Sequence, residues 1–151
     1  MAAIAWGICI TSWRLPKDRQ ILETFNDHRL AFEELRQIAT RDSNHESYFS
    51  ASHLDREISS DRRERYKVLL SEIDRGLTVN VDYDGTVRFI VSSGGAFAIG
   101  PGWLKGIEYI PGNYQRKGIL LQNLDGANKL PANVYLAKIE PNWFLVYQRD
   151  D

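Results

Sequence analysis

Residues 77–92, LTVNVDYDGTVRFIVS, decide the fold. Leu77, Val79, Val81 and Tyr83 alternate with Thr78, Asn80 and Asp82. That period of two is what a strand with one buried face requires. Asp84-Gly85 follows, a pair that tolerates positive φ and suits a tight hairpin turn. Residues 86–92 then return as the partner strand.

Upstream of this hairpin the period is helical. Ile21, Leu22, Phe25, Phe32, Leu35, Ile38 and Ala39 recur at steps of three and four, which predicts one amphipathic helix over 17–41. His28 and Arg29 interrupt its apolar stripe. Tyr66, Leu69, Leu70 and Ile73 predict a second helix over 61–75, with Asp61 and Glu64 spaced as a capping box and Gly76 placed to end it. Between them, 42–60 is polar and aperiodic and reads as a long loop.

Downstream the pattern stays extended. Short strands are expected over 96–99, 103–110 and 119–123, separated by Gly100-Pro101-Gly102 and further turns. A last hairpin pairs 134–140 with 143–148 about Pro141-Asn142. Both its faces are apolar: Val134 and Leu136 oppose Tyr135, Ala137 and Ile139, while Trp143, Leu145 and Tyr147 oppose Phe144 and Val146. A strand apolar on both faces is central or covered on both sides. The expected architecture is α+β, with two N-terminal helices packed on one face of a five- to six-stranded antiparallel sheet.

The chain has 151 residues, 43% hydrophobic and 26% charged, which fits one domain able to bury its own core. A net charge of −1 gives no broad basic field, so nucleic acid is not an expected partner. Cys9 is the sole cysteine, which excludes an intrachain disulfide and a four-cysteine zinc site.

Residues 1–14 form a separate segment, with 15–151 as the single α+β domain. The run MAAIAWGICITSW is uncharged and apolar but shorter than the roughly 20 residues of a spanning helix. It lacks the basic n-region of a signal peptide. Three readings stand open: the end of an anchor or signal that starts upstream, a buried first element of the domain, or an interfacial segment using Trp6 and Trp13. Arg14, Lys17 and Arg19 just beyond it suit the first and third, and equally an ordinary solvated linker.

No residue set points to catalysis. His45 and His53 lie among carboxylates in the 42–60 loop but match no zinc spacing, and His28 reads as a helix-flank residue. There is no nucleophile elbow, and Cys9 sits in the apolar run. SSGGAFAIGPG is glycine-rich but leads into a strand and lacks the Gly-Lys-Ser/Thr of a phosphate loop. Asp84 and Asp125 each precede glycine and read as turn residues. No cofactor, metal or catalytic residue is therefore expected. One stretch, GPGWLKGIEYIPGNYQRKG, gathers aromatic and basic side chains of the kind that dominate binding hot spots. Trp103, Lys105, Tyr109, Tyr114 and Arg116 are its candidate partner-binding residues. Ordinary sheet packing is the competing account, because aromatics are also common strand residues.

Residues 15–148 resemble a family of small uncharacterised bacterial proteins that usually begin with a lipoprotein signal or a single membrane anchor. The resemblance is carried by Tyr66-Lys67-Val68-Leu69-Leu70, Tyr83-Asp84-Gly85, Ser92-Ser93-Gly94-Gly95 and Lys105-Gly106. It ends with Ile139-Glu140-Pro141-Asn142-Trp143-Phe144-Leu145-Val146-Tyr147. Pro141 stands where that family often has glycine, and the anchor is short. The resemblance implies a membrane-tethered domain facing the periplasm, associated with the inner membrane through the N-terminus. The alternative is a cytoplasmic protein. It implies no activity. The function expected is a non-catalytic protein-binding module, in one form an immunity or inhibitor protein neutralising a bacterial toxin. The alternative is a small-molecule or lipid-binding envelope protein with a pocket between helices and sheet.

Overall fold

The computed structural model describes residues 15–43, 47–50, 58–95, 101–112 and 118–151. Helices α1 (Asp18–Asp27) and α2 (Arg29–Asp42) are followed by strand β1 (Ser47–Ser50) and helix α3 (Ser60–Ile73). Then come β2 (Thr78–Val81), β3 (Val87–Gly95), β4 (Gly102–Tyr109) and β5 (Ile119–Leu120). A 3-10 turn (Ala127–Lys129) precedes β6 (Val134–Glu140) and β7 (Trp143–Asp150). The strands make one sheet in the order β1-β2-β3-β4-β7-β6-β5.

The α+β class is as the sequence predicts, but its details differ. The helix expected over 17–41 is two helices, broken at His28, whose φ of −117° and ψ of 27° leave the helical region. The break falls where the apolar stripe skips, so Ile21 and Phe25 of α1 and Ala31, Phe32, Leu35 and Ala39 of α2 all reach the core. The expected 42–60 loop contains β1, whose Phe49 pairs across from Val79 and stacks on Tyr66 at 5.1 Å. Four residues are too few for a period to register. Among the described residues the sheet has seven strands rather than five or six, and β5 pairs with β6 in parallel. Residues 121–133 supply the crossover of a dozen or more residues that a parallel pair needs.

The central hairpin behaves as its alternation demands. Asp82 O accepts from Gly85 N, Asp84 Oδ1 accepts from Thr86 N at 2.8 Å, and Gly85 takes φ 82°. In the last hairpin Asn142 holds the left-handed φ of 67° directly after Pro141. The start of α3 differs from expectation. Its N-cap is Ser59 with no side-chain cap bond, so Asp61 lies inside the first turn and favours the helix through the dipole instead. The helix stops at Ile73, and Gly76 N donates to Asp74 Oδ1 just beyond it.

One face of the sheet carries the main core. Phe89, Ile107, Trp143, Leu145 and Tyr147 meet the apolar stripes of the three helices there. Its centre is an aromatic cluster in which Phe25 lies 5.1 Å from Trp143, Phe32 5.1 Å from Phe89 and Tyr109 5.2 Å from Trp143. The opposite face holds a smaller cluster of Leu104, Ile110, Leu136 and Val146. The two apolar faces foreseen for the last hairpin thus belong to two different clusters.

Between the faces β3 and β4 are pressed together at Gly106. A Cβ there would lie 2.0 Å from Phe89 O, opposite the register shift between Ile90 and Ser92. Only glycine lets the two backbones approach so closely at this bulge.

Candidate partner-binding surfaces

Trp103, Lys105 and Tyr109 alternate along β4, so all three point to the helix-bearing face. Their surroundings differ sharply from an exposed patch. Tyr109 is half-buried against Trp143, and the Arg36 guanidinium lies 4.4 Å from its ring centroid. Trp103 is half-buried and covers Gly94, where an added Cβ would lie 2.6 Å from the indole nitrogen. Lys105 is 0% exposed. Tyr114 and Arg116, like Cys9, His45 and His53 and the strand expected over 96–99, lie outside the described residues.

Lys105 is the hub of a charged clamp. Its Nζ lies 2.6 Å from Asp18 Oδ1, donates to Pro16 O at 2.8 Å and sits 3.5 Å from Asp125 Oδ1. Asp18 Oδ2 accepts from Leu124 N at 2.6 Å, and Asp18 N donates to Asp125 Oδ1 at 2.8 Å. A buried ammonium persists only when paired and hydrogen-bonded, and here both conditions are met. The clamp fastens the first turn of α1 and the 121–127 loop to the middle of β4. Asp125, read from sequence as a turn residue, therefore also holds α1. The Asp18 backbone amide, then the Lys105 charge, hold its carboxyl below the usual range. With Lys105 enclosed, no part of its side chain is accessible to a partner.

A second ion pair lies on the opposite face. Arg88 Nε donates to Glu108 Oε1 at 3.0 Å, with Arg88 Nη2 3.5 Å from Asp82. Both Arg88 and Glu108 are buried. Sequence reasoning missed it because its members sit 20 residues apart on neighbouring strands, where only the β3–β4 register joins them.

The surface that the sequence did not single out is at the β5 edge. Ile119 is 44% and Leu120 64% exposed. Leu121 N donates to Leu136 O at 2.8 Å. Alternate residues of a parallel strand face the neighbour, so the backbone N–H and C=O of Leu120 point away from β6. Beside this edge, on the face opposite the helices, runs a groove of about 430 Å³. Pro111, Leu120, Leu136 and Phe144 give it apolar walls, while Lys138 and Asn142 bring polar groups. Gly112 and Gly118, which bound residues 113–117, also line it. Part of the GPGWLKGIEYIPGNYQRKG stretch thus reaches this groove, through Ile110, Pro111, Gly112 and Gly118 rather than through Trp103 or Lys105. The legible signal was the two-faced apolarity of the last hairpin.

A further cavity of about 240 Å³ lies between α1, the end of α3 and the sheet. Ile21, Phe32, Ile73, Leu77, Val91 and Ile107 form its walls, and the exposed Gln20 and Asp74 mark its mouth.

Among the described residues no group of three His, Cys, Asp or Glu side chains could hold a metal ion. Among them, too, no helix is long and apolar enough to cross a membrane. His28, the junction of α1 and α2, lies 3.8 Å from the Glu72 carboxylate. No family model, curated protein or solved structure matches the chain.

Proposed function

We propose that this chain is a non-catalytic protein-binding module, in its most concrete form an immunity or inhibitor protein that neutralises a bacterial toxin. The observation that supports this reading is the β5 edge. A sheet edge with outward backbone groups is a template for an added strand, and proteins normally blunt such edges with charge, proline or cover. Here Ile119 and Leu120 are exposed at the edge, and a groove with both apolar and polar walls lies alongside. An extended partner segment would add main-chain hydrogen bonds at Leu120 and place alternate side chains in the groove. Tethering through residues 1–14 to the inner membrane, on its periplasmic side, belongs to the same proposal.

The test is capture from the native host with the full chain as bait, followed by mixing of the purified partner with wild type and Leu120→Lys. One stoichiometric partner that the variant no longer retains is the expected result, and growth protection against that partner establishes the immunity form. Capture that returns nothing at low and moderate salt, or a partner held equally by the variant, overturns the reading.

The 240 Å³ cavity favours a second reading, a small-molecule or lipid-binding protein with its pocket between helices and sheet. Its walls are apolar, with a few polar groups at the mouth, as small-ligand sites are built.

A further inference from the structure

The cavity behind α1 has a definite size and a definite polarity. An engineered apolar cavity of about 150 Å³ takes benzene, so about 240 Å³ accommodates on the order of ten non-hydrogen atoms. That is too small for a diacyl lipid and right for one ring with a short chain. Ile21, Phe32, Ile73, Leu77 and Ile107 offer no hydrogen bonds to it.

Three polar side chains also line it, and each has part of its capacity committed. Thr24 Oγ1 donates to Gln20 O at 3.1 Å. Gln20 Oε1 accepts from Lys17 N at 3.0 Å, which fixes the first turn of α1 and leaves the amide nitrogen as a donor. Asp74 Oδ1 accepts from Gly76 N at 2.8 Å, so the carboxylate is anchored by the turn after α3. Asp74 is the one charged residue of the lining. A carboxylate held in place at the mouth of an apolar pocket selects for a cation at one end of the occupant.

We propose that this cavity binds a small amphiphilic amine, with an aromatic or aliphatic body of about ten non-hydrogen atoms inside and an ammonium group at Asp74. The assignment rests on the second, small-molecule reading above and names its ligand class. It is independent of the β5 edge. The body displaces no charged group, and the ammonium stays at the mouth, where it keeps part of its hydration.

Three probes of one length separate the possibilities: 3-phenylpropylamine, 3-phenylpropanol and 3-phenylpropionate. Each is titrated into the full chain at pH 7, and the methyl NMR signals of Ile21, Ile73, Leu77, Val91 and Ile107 are followed. The amine is expected to bind about fivefold more tightly than the alcohol, the upper end for a solvent-touched ion pair, and the propionate most weakly. Asp74→Asn retains the Oδ1 acceptor for Gly76 N, and should bring amine and alcohol to equal affinity. Val91→Phe should fill the cavity and abolish binding of all three, with its methyl spectrum showing that the fold persists. Binding of alcohol and amine with equal affinity to wild type, or an amine preference that survives in Asp74→Asn, overturns the proposed ligand class while the pocket reading stands. Unmoved methyl signals with all three probes at millimolar concentration overturn both.

Discussion

The helix-bearing face of the sheet and its β5 edge carry the same kind of apolar side chains and end in opposite situations. On the helix side the large aromatic side chains Phe25, Phe32, Phe89 and Trp143 pack on one another. Trp143 is 2% exposed and contacts Phe25, Phe89 and Tyr109, and the Arg29 guanidinium caps it at 4.7 Å. At the β5 side Leu120 carries the same kind of side chain, one strand from the core, and is 64% exposed. The difference is one of coverage rather than composition. Period alone tells which residues share a face, and it does not tell what covers that face. A partner is therefore sought where coverage stops and apolarity does not.

The comparison is broken most strongly at Trp143. Trp143→Ala is expected to destabilise the fold by about 3–5 kcal/mol, the range for truncating a large buried aromatic. Urea denaturation measures it, and a loss below about 1 kcal/mol would mean that the aromatic cluster does not carry the helix-side core. Trp103→Ala should cost less, because Trp103 is half-buried.

Next in size is the Lys105 clamp. Lys105→Ala leaves Asp18 and Asp125 facing each other without their cation, and removing one member of a buried pair costs about 3 kcal/mol or more. Lys105→Met, in a shape-matched apolar form, still strands Asp18 and should not rescue. Lys105→Met with Asp18→Leu removes both charges of the closest pair and should recover part of the loss. Equal stabilities of the single and double variants would show that the pair is not coupled.

This clamp also shows what the sequence could and could not tell. The hairpin at Asp84-Gly85, the helices at 60–73 and 18–42 and the two apolar faces of 134–148 were legible because each is a local period ended by a local turn. Lys105 was legible as a basic residue among aromatics, which pointed to a surface. Its burial depends on Asp18, 87 positions away, and on Asp125 in a loop, and no local pattern records such a meeting. The parallel β5–β6 pair was hidden for the same reason. Two residues give no period, and strand direction is set by the 121–133 crossover. The groove beside β5 was half visible, in the Ile110-Pro111-Gly112 stretch and in the second apolar face of the last hairpin.

A smaller effect distinguishes the exposed carboxylate of the clamp from its buried partner. Asp125 is held below its ordinary value of 3.8, first by the Asp18 amide and then by Lys105. A carboxyl depressed in the folded state adds stability that is fully present above its unfolded value and is lost as pH falls through its folded value. Asp125→Asn is therefore expected to lower stability at pH 7 by about 0.5 kcal/mol, discounted for solvent screening. The gap from wild type should narrow as pH falls below 3.8 and through the lowered folded value. Denaturation midpoints at pH 7, 4 and 2.5 measure it. A gap that stays constant across that range would assign the loss to the Asn side chain and not to the charge.

The smallest effect on stability is the most informative about function. Leu120→Lys changes an exposed side chain on a two-residue edge strand, so the unfolding midpoint should shift by no more than the roughly 0.5 kcal/mol typical of surface sites. Lysine at an edge is also the device by which sheets refuse an added strand. If the edge is a docking strand, partner affinity should fall at least about tenfold, or about 1.4 kcal/mol, while the free protein is unchanged. Trp143→Ala would lose binding too, but only in proportion to the folded protein it loses. A partner released by Leu120→Lys at full stability places the interface at the uncovered side. A partner that tolerates the lysine moves the search away from β5 and its groove.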